Sequence, residues 1–245
     1  TPHEHFFGTD NFTYTIRDTE NELSNVATVM LTITAVNDRP TAIALDNLQV
    51  NENNAGAIIS TLSTSDPDNG QTHTYTVDDN RFEVVGDQLK LIDTEQLDHE
   101  AEATVTINVT STDSGTPPLH FTQSFMIDVV DLNETPTAIA LDNLQVNEND
   151  AGAVIGTFST TDPDNGQTHT YSVDDNRFEV VGEQLTLIDT EQLDHEAEAT
   201  VTINVTVTDS GTPPLHFTQS FMIDVVDLND PPTEISLDES TVLEN

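Results

Sequence analysis

The strongest constraint on this chain is an internal repeat of 96 residues. The string Thr41–Asp46 returns as Thr137–Asp142, and a third, diverged copy begins at Thr233. Alignment of residues 41–136 with residues 137–232 gives 11 differences in 96 positions. A period of this size predicts an array of domains. Such near-identity suits a part whose role is to repeat better than a part with a unique site.

Each repeat contains seven predicted strands and no helical periodicity. In the two longest, apolar residues alternate with polar ones, which is typical of a half-buried strand. The chain is therefore predicted to be all-β, with tandem Greek-key seven-stranded β-sandwiches of Ig-like architecture arranged as an elongated rod. The strands of the first repeat are predicted at Ile43–Val50, Ala57–Leu62, Thr74–Val77, Phe82–Val85, Gln88–Ile92, Thr104–Val109 and Phe121–Val129.

The period divides the chain into four predicted segments. They are the C-terminal hairpin of a truncated upstream domain (1–38), repeat 1 (39–134), repeat 2 (135–230) and the start of a truncated third repeat (231–245). In the hairpin, Phe12, Tyr14 and Ile16 alternate with threonine, which predicts a half-buried strand before a turn at Asp18–Asn21. An isolated hairpin is marginal in water, so we expect this segment to be the least stable.

The charge of the chain excludes several classes of function. Five basic residues stand against 45 acidic ones, which gives a formal net charge of −40. Nucleic acid is therefore not expected as a partner. The chain has no cysteine for disulfides or thiolate metal sites, and no segment is apolar enough to span a membrane.

Acidic residues recur at fixed places between the predicted strands rather than in blocks. Any one of them is equally well explained as a solvated turn residue, as in Asp66-Pro67-Asp68-Asn69-Gly70. Together they gather at strand ends, where like charges close to one another raise pKa values or require a cation. The linker Asp131–Pro136 concentrates carboxylates, an amide and backbone carbonyls, and such oxygen-only donors suit Ca²⁺.

Five motifs carry a resemblance to a known family. They are Asn51-Glu52-Asn53, Asp66-Pro67-Asp68, Leu97-Asp98-His99-Glu100, Ser111-Thr112-Asp113-Ser114-Gly115-Thr116-Pro117 and Asp131-Leu132-Asn133-Glu134-Thr135-Pro136. In this order, and in both copies, they resemble the cadherin repeat family over about residues 41–232. The opening segment resembles a more distant cadherin-like domain of the kind found in bacterial surface proteins.

The sequence departs from the family pattern in a few places. His99 and His195 replace the usual arginine, which is not a ligand, and Glu134 replaces the linker aspartate. Thr72 and Thr168 stand where the family has an asparagine that offers its backbone carbonyl.

The resemblance implies calcium ligands shared between successive repeats, with up to three Ca²⁺ ions at a complete junction. At the one complete junction the implied ligands are Glu52, Asp98, Glu100, Asp131, Leu132, Asn133, Glu134, Thr135, Asp162, Asp164 and Asp209. The incomplete upstream junction has Asn37, Asp38, Asp66, Asp68 and Asp113. The incomplete downstream junction has Glu148, Asp194, Glu196, Asp227, Asn229 and Asp230.

Three functions remain open from the sequence. The first is a calcium-rigidified extender or adhesion region of a large bacterial surface or secreted protein, located extracellularly or at the cell surface. The second is a binding module for a cell-surface glycan, a protein or another copy of the chain. Against sugar binding, we expect Tyr75, Tyr171, Phe82 and Phe178 to be core residues. The third, an enzyme, is not expected, because each carboxylate pair belongs to a duplicated calcium motif and no nucleophile motif is visible.

Overall fold

All regular structure in the described part of the chain is β-strand. The structure is a computed structural model that describes residues 7–232 and residue 234. Most of the predicted third repeat, including Thr233 and residues 235–245, therefore lies outside the described residues. The chain divides into two compact units, Thr1–Leu132 and Asn133–Asn245, and each unit has its own hydrophobic core.

Repeat 1 is a sandwich of two four-stranded sheets. Its strands are β3 (Ala42–Leu45), β4 (Gln49–Asn51), β5 (Ile58–Ser65), β6 (His73–Val77), β7 (Phe82–Val85), β8 (Gln88–Leu91), β9 (Thr104–Asp113) and β10 (His120–Val130). One sheet has the order β3-β5-β8-β7 and the other the order β4-β10-β9-β6. All neighbours are antiparallel except β4, which runs parallel to β10.

Repeat 2 has the same two sheets, in the orders β11-β13-β16-β15 and β12-β18-β17-β14. Its strands are β11 (Ala138–Leu141), β12 (Gln145–Asn147), β13 (Val154–Thr161), β14 (His169–Val173), β15 (Phe178–Val181), β16 (Gln184–Leu187), β17 (Thr200–Asp209) and β18 (His216–Val226). The all-β tandem sandwich predicted from the repeat is confirmed.

Strict alternation along the long strands builds the core. In β9, Val105, Ile107 and Val109 are buried, while Thr104 and Thr106, which alternate with them, are exposed. Side chains of successive strand residues point to opposite faces, so each sheet buries one face against the other. Phe82 and Phe178 lie in the two cores, and Tyr75 and Tyr171 pack against them, as predicted.

The prediction of one continuous strand from Ile43 to Val50 is wrong, because the chain changes sheets within it. It leaves β3 after Leu45 and re-forms as β4 in the opposite sheet. The side chain of Asp46 accepts hydrogen bonds from the Ser60 hydroxyl and the Thr61 amide, both at 2.8 Å. Asn47 Nδ2 donates to the carbonyls of Gln49 in β4 and Ile59 in β5. Side-chain bonds of this kind compete with ladder pairing and break the strand.

The opening hairpin is more exposed than the alternation predicts. Strands β1 (Gly8–Tyr14) and β2 (Ala27–Ile33) pair antiparallel in a sheet of their own, and the turn at Asp18–Asn21 is present, with Asn21 at φ 70°. Phe12 and Tyr14 are 52% and 49% exposed, since no second sheet covers the hairpin among the described residues. Over the same residues there is no helix long and apolar enough to cross a membrane.

Candidate metal centre

The C-terminal acidic cluster of repeat 1 consists of Glu52, Asp98, Glu100 and Asp131. Glu52 is only 1% exposed. Its carboxylate accepts a hydrogen bond from the His99 amide at 2.8 Å and another from the Leu132 amide at 2.6 Å. These two backbone donors fix the position and orientation of the carboxylate at the end of the sandwich.

The parallel pairing of β4 with β10 positions this carboxylate. Val50 lies opposite Val129, and the Glu52 amide donates to the Val130 carbonyl at 3.2 Å. Both strands therefore leave the sheet at the same end, side by side. This places Glu52, which follows β4, against the linker that follows β10.

One carboxylate oxygen each from Glu52, Asp98 and Glu100 lies within 4.8 Å of the others. The donor set consists of three carboxylates and therefore offers only oxygen ligands. A hard cation such as Ca²⁺ fits this set, because Ca²⁺ binds carboxylate oxygens in flexible geometry. The three residues are those that the sequence motifs predict at this end of the repeat.

Repeat 2 builds the corresponding cluster from Glu148, Glu196 and Asp227. Hydrogen bonds from the amides of His195 and Leu228 lower the pKa of Glu148, although burial opposes them. For Glu196, a backbone hydrogen bond lowers the pKa, but burial and the charges of its acidic neighbours outweigh it, so the net shift is upward. A raised pKa from like charges is the signature of a site that a cation would stabilise.

The N-terminal acidic cluster of repeat 2 consists of Asn133, Glu134, Asp162, Asp164 and Asp209. The Asp209 carboxylate is buried and accepts the amides of Gly211 and Leu215, both at 3.0 Å. Asn133 Nδ2 donates to both oxygens of the same carboxylate at 3.3 Å. Burial raises the pKa of Asp209, but these hydrogen bonds outweigh it and the net shift is downward.

Two further aspartates are fixed by the linker and by one another. The Glu134 amide donates to Asp164 Oδ2 at 2.7 Å, and the Asp164 amide donates to Asp162 Oδ1 at 3.1 Å. Backbone amides therefore orient the Asp-Pro-Asp turn toward the linker that the sequence predicts as its partner.

The N-terminal acidic cluster of repeat 1 repeats this arrangement with the residues Asn37, Asp38, Asp66, Asp68 and Asp113. Asn37 Nδ2 donates to the two oxygens of Asp113 at 3.1 and 3.3 Å. The Asp38 amide donates to Asp68 Oδ2 at 2.7 Å. The five residues predicted for the incomplete upstream junction are thus brought together within one unit.

A glycine is required beside each of these asparagines. A Cβ at Gly115 would lie 1.8 Å from Asn37 Oδ1, and a Cβ at Gly211 would lie 1.6 Å from Asn133 Oδ1. No real side chain tolerates such distances. The glycine of the Asp-Ser-Gly motif therefore makes room for the linker asparagine.

Two residue pairs of this site were missed from the sequence. Gln71 Nε2 donates to Asn37 Oδ1 at 2.6 Å, and Gln167 does the same to Asn133. His73 Nε2 lies 3.0 Å from Asp66 Oδ2, and His169 Nε2 lies 2.7 Å from Asp162 Oδ2. In both repeats the glutamine follows the first aspartate of the Asp-Pro-Asp turn by five residues and the histidine follows it by seven. These constant spacings were the only signal for them in the sequence.

Comparisons with known proteins agree with this geometry. Residues 142–226 match the sequence profile of the cadherin domain, and repeat 1 differs from repeat 2 at only 11 of 96 positions. The chain belongs to the cadherin repeat family.

Relatives of these cadherin repeats include protocadherins. Protocadherin gamma-A8 from Homo sapiens is 30% identical over 230 residues, which is 84% of this chain and 25% of that protein. Protocadherin gamma-A11 from Pan troglodytes is 28% identical over 236 residues, or 87% of this chain and 25% of that protein. The chain spans a quarter of the length of these relatives.

Solved structures with the same fold are also cadherin domains. Extracellular cadherin domains 3–6 of protocadherin gamma B2 match with a TM-score of 0.64 at 21% identity, covering 91% of this chain and 58% of that one. Domains EC22–24 of mouse cadherin-23 match with a TM-score of 0.63 at 21% identity, covering 89% of this chain and 74% of that one. The two repeats thus have the fold of cadherin domains.

For three further predicted ligands, the structure shows a hydrogen bond that holds the carboxylate in place. Asp98 Oδ1 and Asp194 Oδ1 each accept the amide three residues ahead, at 3.0 and 2.9 Å. Asp230 Oδ1 accepts Asn149 Nδ2 at 3.0 Å. The carbonyls of Leu132 and Thr135 and the side chain of Asn229 stay predictions as ligands.

Proposed function

We propose that these repeats form a calcium-rigidified extender or adhesion region of a large surface or secreted protein. Calcium ions would bind between the C-terminal acidic cluster of repeat 1 and the N-terminal acidic cluster of repeat 2, with up to three ions. The observation that carries the proposal is the buried Glu52, whose carboxylate is fixed by two backbone amides beside Asp98 and Glu100.

The physical effect of calcium follows from the charge of the chain. With a formal net charge of −40, acidic clusters at the ends of successive repeats repel one another. A cation that takes ligands from both repeats converts this repulsion into attraction. Because such binding needs both domains at once, its free energy also fixes the angle between them.

The parent protein and its partners are part of the same proposal. Assignment to a bacterial surface protein stays a prediction from the style of the repeat and the resemblance of the opening segment, and the relatives named above with their organism come from primates and mouse. A solved relative, protocadherin gamma B7 domains EC3–6, forms a cis-dimer, which supports a second copy of the chain as one partner. Cell-surface glycans or proteins are the others, and no catalytic role is proposed.

Small-angle scattering tests the calcium-bound joint. The full chain is measured with millimolar calcium and again with chelator, beside two variants that each remove one negative charge. Asp98→Asn alters the C-terminal acidic cluster of repeat 1 but retains the oxygen that accepts the Ala101 amide. Asp87→Asn, in the exposed turn between β7 and β8, is the matched control.

The expected result is a stiff, extended particle in calcium that bends or shortens with chelator. Asp98→Asn should need more calcium to reach the stiff state, and Asp87→Asn should behave like the unaltered chain. Scattering profiles that do not respond to calcium would show that the acidic clusters are not joint ligands. They would then have to serve solubility or a binding face.

A further inference from the structure

A histidine lies within the C-terminal acidic cluster of repeat 1. A ring nitrogen of His99 and one carboxylate oxygen each of Glu100 and Asp131 lie within 4.8 Å of one another. All three belong to the same compact unit. The calcium motif does not explain this nitrogen, because Ca²⁺ is bound by oxygen ligands and arginine, the usual residue here, binds no metal.

The histidine ring is held in a defined protonation pattern. His99 Nδ1 lies 2.7 Å from the Val129 carbonyl oxygen. A carbonyl only accepts hydrogen bonds, so Nδ1 donates a proton to it, and in the neutral ring Nε2 is the nitrogen that offers a lone pair. Metal-binding histidines almost always donate their other ring N–H to a carbonyl or carboxylate in this way, which fixes the ring and raises its basicity.

We propose that His99 Nε2, Glu100 and Asp131 bind a divalent transition-metal ion, with Zn²⁺ as the representative. Imidazole nitrogen selects zinc, copper, nickel or iron over calcium. One nitrogen and two carboxylate oxygens leave a fourth position for water, which is the ligand count of an open zinc site. The carboxylates of Asp131, Glu100 and Glu52, which lie in this cluster, would stabilise a metal ion in the same place.

The site shares ligands with the proposed calcium site. Glu100 also belongs to the group that contains Glu52 and Asp98, and Asp131 is a predicted calcium ligand. Zinc bound through His99 would therefore draw two carboxylates away from calcium and weaken the calcium-dependent stiffening. Only this competition rests on the proposed function, because zinc binding itself can be measured without calcium.

Calorimetric zinc titration of the calcium-free full chain tests the site, together with three variants. His99→Arg restores the residue usual in the family and removes the nitrogen ligand. His120→Arg makes the same change at an exposed position of β10 opposite Thr112 and is the control. Asp98→Asn alters the calcium cluster and leaves the zinc ligands in place. In parallel, the ring nitrogens of His99 are followed by NMR in the unaltered chain.

We expect His99→Arg to lose one zinc equivalent or to bind it at least about tenfold more weakly, with His120→Arg unchanged. Zinc should move the NMR signal of His99 Nε2 and leave Nδ1 protonated. An unmoved Nε2 signal, or unchanged zinc binding in His99→Arg, overturns the proposal. If Asp98→Asn leaves calcium binding intact while His99→Arg loses zinc, the proposed calcium function fails and the zinc site stands.

Discussion

The two repeats keep their acidic ends nearly unchanged but differ in their cores. Of the 11 differences in 96 positions, only Glu134 against Asp230 and the adjacent Thr135 against Pro231 fall among the predicted ligands and their counterparts. Three others change buried positions, and they are Ser60 against Gly156, Leu62 against Phe158 and Ser111 against Val207.

Repeat 1 has a polar contact at one of these substituted core positions, and repeat 2 has an aromatic stack at another. In repeat 1, the hydroxyl of the buried Ser111 lies 2.9 Å from that of Thr64. In repeat 2, the ring of Phe158 stacks on Tyr171 with centroids 4.9 Å apart and an interplanar angle of 22°. It also lies 6.2 Å from the ring of Phe221.

This difference shows which constraint acts where. A core position needs a suitable volume and satisfied hydrogen bonds, and several side chains meet that need. A carboxylate held by two backbone amides, such as Glu52 or Glu148, has no equivalent among the other side chains. The residue types at the two ends of each repeat are therefore constrained by the hydrogen bonds of the carboxylates. Those in the interior are constrained by volume and packing.

The largest expected effect breaks the aromatic stack. Phe158→Ala should destabilise repeat 2 by about 4 kcal/mol, because it removes a buried ring and leaves a cavity. Leu62→Ala should cost repeat 1 about 3 kcal/mol, since less volume is lost. Amide hydrogen exchange resolved for each repeat measures both values in one chain. Equal losses would contradict the contrast between the two cores.

A smaller effect, equal in the two repeats, is expected from the glycines beside the linker asparagines. Gly115→Ala and Gly211→Ala each place a methyl group on an asparagine, which must leave its aspartate. Calcium affinity of the altered cluster should fall by at least about tenfold. Calorimetry measures this fall, with Gly86→Ala as a control, because a Cβ there meets no neighbour although its φ of 69° costs some backbone strain. If Gly86→Ala lowers the calcium affinity by the same factor, the effect comes from destabilised folding and not from the displaced asparagine.

Ser111→Val should stabilise repeat 1 by about 1 kcal/mol, because repeat 2 already accommodates Val207 at this position without exposure. Thr64 Oγ1 keeps its hydrogen bond to Tyr75 Oη at 2.9 Å, so no buried hydroxyl loses its last partner. Chemical denaturation, with amide hydrogen exchange resolved for each repeat, measures the change in the free energy of unfolding. Destabilisation would show that the Ser111–Thr64 contact contributes more than the buried methyl groups.

The smallest effect concerns acid stability and should be the same in both repeats. Hydrogen bonds from Arg81 lower the pKa of Asp79, with burial opposing them, and Arg177 acts likewise on Asp175. A lowered folded-state pKa gives stability that is present above the unfolded pKa of about 4 and is lost as pH falls through the lower value. Arg81→Gln should remove no more than about 1 kcal/mol at pH 7 and flatten the loss below pH 4. Denaturation midpoints measured between pH 2 and pH 7 report this loss of stability. A pH dependence of the midpoint that is the same in Arg81→Gln and in the unaltered chain would contradict the prediction.

The sequence alone determined the repeat and the sandwich, and its motifs located the acidic residues that form each cluster. Each follows from local or periodic information: an exact spacing of 96 residues, a strand alternation of period two, and short motifs with fixed residue types. The carboxylates of Glu52, Asp98 and Glu100 were predicted to lie together, and they do.

Only the tertiary structure decided the contacts made across the sequence. Where β3 ends, Asp46 accepts hydrogen bonds from Ser60 and Thr61, which lie more than ten residues further along the chain. The bonds of Gln71 to Asn37 and of His99 to Val129 span 34 and 30 residues. Spacing in the sequence cannot show these contacts, because they arise when two sheets pack and bring strand ends together. The metal-binding nitrogen proposed for His99 depends on one of them.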